Sequence, residues 1–117
     1  MAQTYKEKDS TFEANGTVYD LSKIHAAIKG DTSKEIRVSN LSWILKYIES
    51  TDKEKVDDAD ITKPILVTAI DSQEVVVEGL HRLQKAIKTN VLVLPYKRVS
   101  SEVMEESVIK PEEPKKR

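Results

Sequence analysis

PILVTAIDSQEVVVEGLHRLQKAIKTNVLVLP, residues 64–95, is the stretch from which the fold is read. Five of the six residues from Ile65 to Ile70 are apolar, and Val75-Val76-Val77 repeats the pattern after an Asp71-Ser72-Gln73 connection. Continuous apolar runs of this length suit strands buried on both faces, so both are expected to be central in a sheet. Gly79 ends the second run. A helix is predicted directly after it, with Leu80, Leu83 and Ile87 on one face and Ala86 beside them. Thr89-Asn90 closes that helix, since Asn is tolerated as a left-handed cap. Val91–Leu94 is predicted as another buried strand, and Pro95 is expected to break the ladder before Tyr96-Lys97-Arg98-Val99 continues an edge. Strand, turn, strand, corner, helix and strand together predict an α+β fold, a small mixed sheet with helices packed on it.

Upstream, residues 1–16 read as a polar N-terminal segment that ends in an Asn15-Gly16 turn signal. Almost nothing in its first dozen residues is expected to be buried. Thr17-Val18-Tyr19 suits a short strand, and Asp20 is a good N-cap for a helix over 21–29. Leu21, Ile24 and Ile28 share one face of that helix, and Gly30 stops it. His25 lies beside the stripe and reads as a surface or boundary histidine, because no second ligand is spaced to join it. Glu35-Ile36-Arg37-Val38 alternates as a half-buried strand does. A second helix is predicted over roughly 40–49, with Leu41, Ile44, Leu45 and Ile48 facing the core. Trp43 and Tyr47 lie on its adjoining face and read as rim packing rather than as a stacking platform.

The charged segment 51–63 reads as a loop with one helical turn around Lys53–Asp58. Asp57, Asp58 and Asp60 lack the Gly and the distal Glu of a calcium loop, and read as a solvated acidic face. Downstream of the strands, Ser100 or Ser101 caps a last short helix to about Ser107, favoured by Glu102 and Glu105 near its start. One domain over 17–106 is therefore expected, followed by a disordered charged tail over 107–117.

Composition excludes several functions. There are 117 residues with 19 basic and 20 acidic side chains, a net charge of −1. That is not the basic footprint of a protein that grips a phosphate backbone, so nucleic acid is a disfavoured partner. Without any cysteine there is no disulfide, no thiolate metal site and no thiol catalysis. No apolar segment approaches membrane-spanning length and no signal-peptide run is visible, so no membrane partner is expected and the expected location is cytoplasmic.

Chemistry-bearing residues converge only at Glu78-Gly79-Leu80-His81-Arg82. A strand that turns into a helix at a Gly aims backbone N–H groups and the positive end of the helix dipole at one point, which favours an anion. Gly79 and the Leu80, His81 and Arg82 positions that follow would hold a phosphate. Arg82 can fork onto it, and His81 can donate a hydrogen bond or trade a proton. Glu78 can accept a proton or bind magnesium.

The run from Pro64-Ile65 through Gly79-Leu80-His81-Arg82-Leu83 and Ala86 to Leu94-Pro95-Tyr96 resembles the ParB N-terminal and sulfiredoxin-like superfamily, in its small stand-alone ParB-like form. The resemblance covers residues 61–104 and extends more loosely upstream. It implies a ParB/sulfiredoxin-like α+β fold with a nucleotide, ATP or CTP with Mg2+, at the corner. It also implies catalytic roles for Glu78 and His81 in phosphoryl transfer or hydrolysis. Departures narrow the family's chemistries. Leu80 stands where sulfiredoxins carry the catalytic Cys, which removes sulfinic-acid reduction. Leu80 and His81 replace the Glu and Arg of the partition proteins. Two alternatives stay open on the same fold: a non-enzymatic regulatory or inhibitory protein that binds a protein partner, and a DNA-binding or nicking protein.

Overall fold

The structure, a computed structural model, describes residues 5–7, 10–47 and 53–109. In chain order it runs β1 (Tyr5–Glu7), β2 (Thr11–Ala14), β3 (Thr17–Asp20), α1 (Leu21–Ile28) and β4 (Lys34–Arg37). It continues through two 3₁₀ turns, α2 (Lys53–Asp58), β5 (Ile65–Ile70), β6 (Gln73–Glu78), α3 (Leu80–Lys88), β7 (Val93–Arg98) and α4 (Ser101–Glu106). The fold is α+β, as expected. β1, β2 and β3 make an antiparallel sheet, and a second, mixed sheet has the order β4-β7-β5-β6.

Local chemistry explains most of these elements. Asp71 and Ser72 both have positive φ, the signature of a two-residue hairpin turn whose twist matches the strands it joins. Asn15-Gly16 does the same between β2 and β3. The Asp20 carboxylate accepts from the Ser22 N–H at 2.9 Å and starts α1. Asn90 adopts φ 61°, and the Val91 N–H reaches the Ala86 carbonyl at 2.7 Å, a Schellman closure of α3. Ser100 caps α4 through the Val103 N–H.

Five expectations are corrected. First, β5 is interior but β6 is an edge strand, although Val75, Val76 and Val77 are all buried. Second, β7 begins only at Val93, and Leu92 is 79% exposed. Pro95 does not break β7, which lies between β4 and β5. The parallel ladder to β5 starts one residue later, at Tyr96, so at Pro95 the strand pairs only with β4 and needs no donor on its other side. Third, Ile87 is exposed, and Ala86 takes its place in the core beside Leu80 and Leu83.

Fourth, the α-helix expected over 40–49 is replaced by 3₁₀ helices at Val38–Asn40 and Ser42–Tyr47. Val38, Leu41 and Ile44 are buried at intervals of three, and the Leu41 and Ile44 N–H groups bond three residues back. That is the 3₁₀ period rather than the α period. Ile48 lies outside the described residues. Fifth, the core begins well before residue 17. Tyr5, Phe12 and Ala14 are buried in the same apolar cluster as Val67 and Leu83. At the other end Ser107 is buried and the Ile109 N–H bonds the Val18 carbonyl at 2.7 Å, so the chain pairs with β3 through residue 109. Residues 110–117 lie outside the described residues.

Candidate functional site

The corner is built by packing as much as by chemistry. Gly79 has φ 115°, and a Cβ there would lie 2.4 Å from Ile65 Cγ2. Its lack of a side chain serves close contact with β5, where the sequence suggested approach to a ligand. Leu80 is also buried, so its side chain belongs to the core. A register shift in the β5–β6 pairing next to the corner opposes Leu66 to Glu78 and Val67 to Val76. Such bulges re-aim the side chains beside them. Of the five corner residues, Glu78, His81 and Arg82 are the ones whose side chains face solvent-filled space.

Two clefts meet there. The first holds about 500 Å3, and His25, Lys29, Lys63, Arg82 and Lys97 surround Glu78 on its walls. Ile28, Pro64 and Leu66 supply its apolar part. The second, of about 390 Å3, is lined by Lys55, Asp58, Asp60 and His81. Lys63, Glu78 and Arg82 belong to both. Sheet register accounts for part of this convergence. Glu78 on β6, Leu66 on β5 and Lys97 on β7 form one row across three strands. Residues in such a row share a face, at roughly 5 Å per strand.

Within the first cleft Arg82 Nη1 donates to the Pro64 carbonyl at 2.9 Å, which fixes the guanidinium against the loop entering β5. His25 Nε2 lies 2.6 Å from Glu78 Oε1 and ties α1 to the end of β6. The imidazole is 52% exposed and the carboxylate 23%. Lys29 and Lys97 make no hydrogen bond or ion pair that the described residues account for, while Asp60 acts on Lys63 and Arg82 from the second cleft.

The predicted residues are thus only partly brought together. Glu78 and Arg82 share both clefts, His81 and Gly79 border only the second, and the Leu80 side chain is turned to the core. Sequence reasoning missed His25, Lys29, Lys63 and Lys97. His25 on α1 and Lys29 at its C-cap carry a faint signal, one turn apart, but only the tertiary fold brings them to the cleft beside Glu78.

The described residues contain no group of three His, Cys, Asp or Glu side chains placed to hold a metal. One Glu78 oxygen is engaged by His25, and among the described residues Glu78 is the one carboxylate on the first cleft, so a magnesium ion there would take most of its ligands from phosphate and water. The aspartates of 57–60 have other roles. Lys88 Nζ donates to Asp57 at 2.6 Å and holds that carboxyl below the usual carboxylate range. Asp60 accepts from Thr62 and is lowered by that bond. Trp43 Nε1 donates to the Glu74 carbonyl at 3.1 Å, and its ring lies edge-on to Tyr47 and Tyr5. The pair is packing, as expected.

No family profile, no curated protein and no solved structure is similar to the chain at significance. The likeness to the ParB and sulfiredoxin-like superfamily therefore stands on its motif residues alone. Among the described residues, no helix is long and apolar enough to cross a membrane.

Proposed function

We propose that this chain is a nucleotide- or phosphate-binding module of ParB-like type, acting in the cytoplasm, with its ligand at the Gly79 corner. The observation that carries the proposal is the convergence of Lys29, Lys63, Arg82 and Lys97, from four separate parts of the fold, on one cleft beside Glu78. Cations brought from four parts of the fold to one cleft suit an anionic ligand. Arg82 is held by Pro64 through one nitrogen and keeps the rest of its fork for phosphate oxygens. Ile28, Pro64 and Leu66 offer the apolar wall that a base or sugar would cover. Glu78 and His81 both border the second cleft, where a proton acceptor and donor could act on a bound phosphate.

A thermal-shift series with ATP, ADP, CTP and GTP, each with and without magnesium, tests the proposal. Ligand at about a hundred times its dissociation constant adds roughly 2.7 kcal/mol, several degrees for a domain of this size. The shift is expected to disappear in Arg82→Ala and to shrink in Lys97→Ala, whose side chain has no described structural bond. No shift with any nucleotide would overturn the proposal.

A second reading, a protein-interaction module without a small ligand, is favoured by a different feature. Ile87, Leu92 and Val93 are all exposed around one further cleft of about 520 Å3. Clustered exposed apolar side chains mark contact surfaces more often than single ones do. This reading predicts no nucleotide shift in the same screen.

A further inference from the structure

The Glu78 carboxylate presents a physical problem for any anion site at this corner. It lines both clefts together with Lys63 and Arg82. Asp60 acts on Lys63 and Arg82 from the second cleft, but Glu78 is the carboxylate that lines both clefts, and a bidentate pairing with Arg82 would be its strongest local option. Such a pair would fill the site from within. The structure shows a different arrangement. Glu78 Oε1 is 2.6 Å from His25 Nε2, and Arg82 Nη1 is directed to the Pro64 carbonyl.

We infer that His25 is a positioning residue of the anion site: it holds the Glu78 carboxylate toward α1 and so leaves Arg82 and Lys63 for the ligand. This role rests on the phosphate-binding proposal. Three features place it. α1 packs on β2 and α4, so His25 brings its donor to Glu78 from a different element than the one that carries Arg82. Glu78 is the less exposed partner, so its carboxylate is the group that gains most from a fixed donor. Lys97, at the far end of the Glu78–Leu66–Lys97 row, is two strand spacings away along the backbone and makes no ion pair with Glu78, whose described partner is His25.

The role separates from a merely structural one through a double-mutant cycle. Sulfate serves as the probe, because its charge is constant across the working range. Its affinity is read by NMR titration of the full chain at fixed ionic strength, with chloride as the balancing salt. Four proteins are compared: the wild type, His25→Ala, Glu78→Gln, and the two changes together. His25→Ala frees the carboxylate to occupy Arg82 and Lys63, and is expected to weaken sulfate binding about fivefold or more, within the range of couplings between contacting residues. Glu78→Gln removes the internal anion and should bind sulfate at least as tightly as the wild type. In the Glu78→Gln background, His25→Ala should then have no effect.

Equal losses from His25→Ala in both backgrounds would overturn the inference, since His25 would then touch the anion or support the fold. So would unchanged affinity in His25→Ala, or weaker binding in Glu78→Gln. Either result leaves the phosphate site standing if Arg82→Ala still abolishes binding. A wild-type chain that binds no sulfate removes the site itself, and the role of His25 with it. Thermal melts of the four proteins confirm that each is folded. A contact as exposed as this one contributes little to stability, so the melts should nearly coincide.

Discussion

A methyl group on Gly79 would meet Ile65 Cγ2 at 2.4 Å and Ile65 Cβ at 2.8 Å, on a backbone with φ of 115°. Two penalties then apply together: the left-handed conformation for a residue with a side chain, and overpacking against a central strand. Gly79→Ala is expected to lose about 2–4 kcal/mol in urea unfolding. Ile65→Ala opens the space that Cγ2 fills, so the double variant should be less destabilised than the sum of the singles, by roughly 0.5–3 kcal/mol. Strict additivity would show that backbone strain alone explains the glycine. The glycine was legible in the sequence as a corner, but its reason was not. The contact that requires it is with β5, and a sequence does not display which strand will lie against a turn. The same holds for His25 and Glu78, whose pairing exists only once α1 has been laid beside β6.

At the scale of elements, the segments with strong local chemistry formed as read. α2 spans Lys53–Asp58, where one helical turn was expected among charged residues. What holds so short a helix in place is α3. Lys85 Nζ donates to the Asp57 carbonyl at 2.7 Å and to the Ala59 carbonyl at 2.8 Å, while Lys88 pairs with the Asp57 carboxylate. These bonds satisfy carbonyls that the end of α2 leaves without helical partners. Lys85→Met keeps the length of the stem and removes the donor. It should loosen α2 locally by about 1–2 kcal/mol, seen as roughly 5- to 30-fold faster amide exchange over 53–58 with little change in the midpoint of global unfolding. Unaltered exchange in α2 would mean that Val56, its one buried residue, anchors the helix by itself. The elements misread are those where two periods overlap. Leu41 and Ile44 fit an α stripe and a 3₁₀ stripe equally, and burial of Val38 three residues earlier decides between them. Pro95 was misread because the side of β7 that lacks a partner at that position is a matter of sheet order.

At the scale of the whole molecule, both sheets share one core. Tyr5 and Phe12 stack at 6.5 Å between ring centres, and Tyr5 meets Trp43 edge-on at 5.7 Å. The alternation of Phe12 and Ala14 on β2 was present in the sequence, but two residues are too few to stand out against a charged background. Surface carboxylates and the Tyr5 and Tyr19 phenols together set the response of stability to pH. Asp20, held by the Ser22 hydroxyl, Asp57, held by Lys88, and Asp60, held by Thr62, all titrate below their ordinary value of 3.8. A folded-state value below the unfolded one means stability that is present above about pH 4 and is lost as pH falls through the folded values. Burial pushes the phenols of Tyr5 and Tyr19 above 10.0, which has the opposite sign. Their contribution is complete below about pH 10 and is lost as pH rises through the raised values. Urea midpoints should therefore hold a plateau between these limits and fall on both sides. The three carboxylates are exposed and their pairs are screened, so the acid limb should be shallow and should flatten further in salt. Asp57→Asn should remove part of that limb and leave the alkaline one untouched. Tyr5→Phe should do the reverse, because it keeps the buried ring and deletes the group that ionises. An alkaline limb that survives in Tyr5→Phe and Tyr19→Phe together would show that it comes from other groups and overturn its assignment to these two phenols.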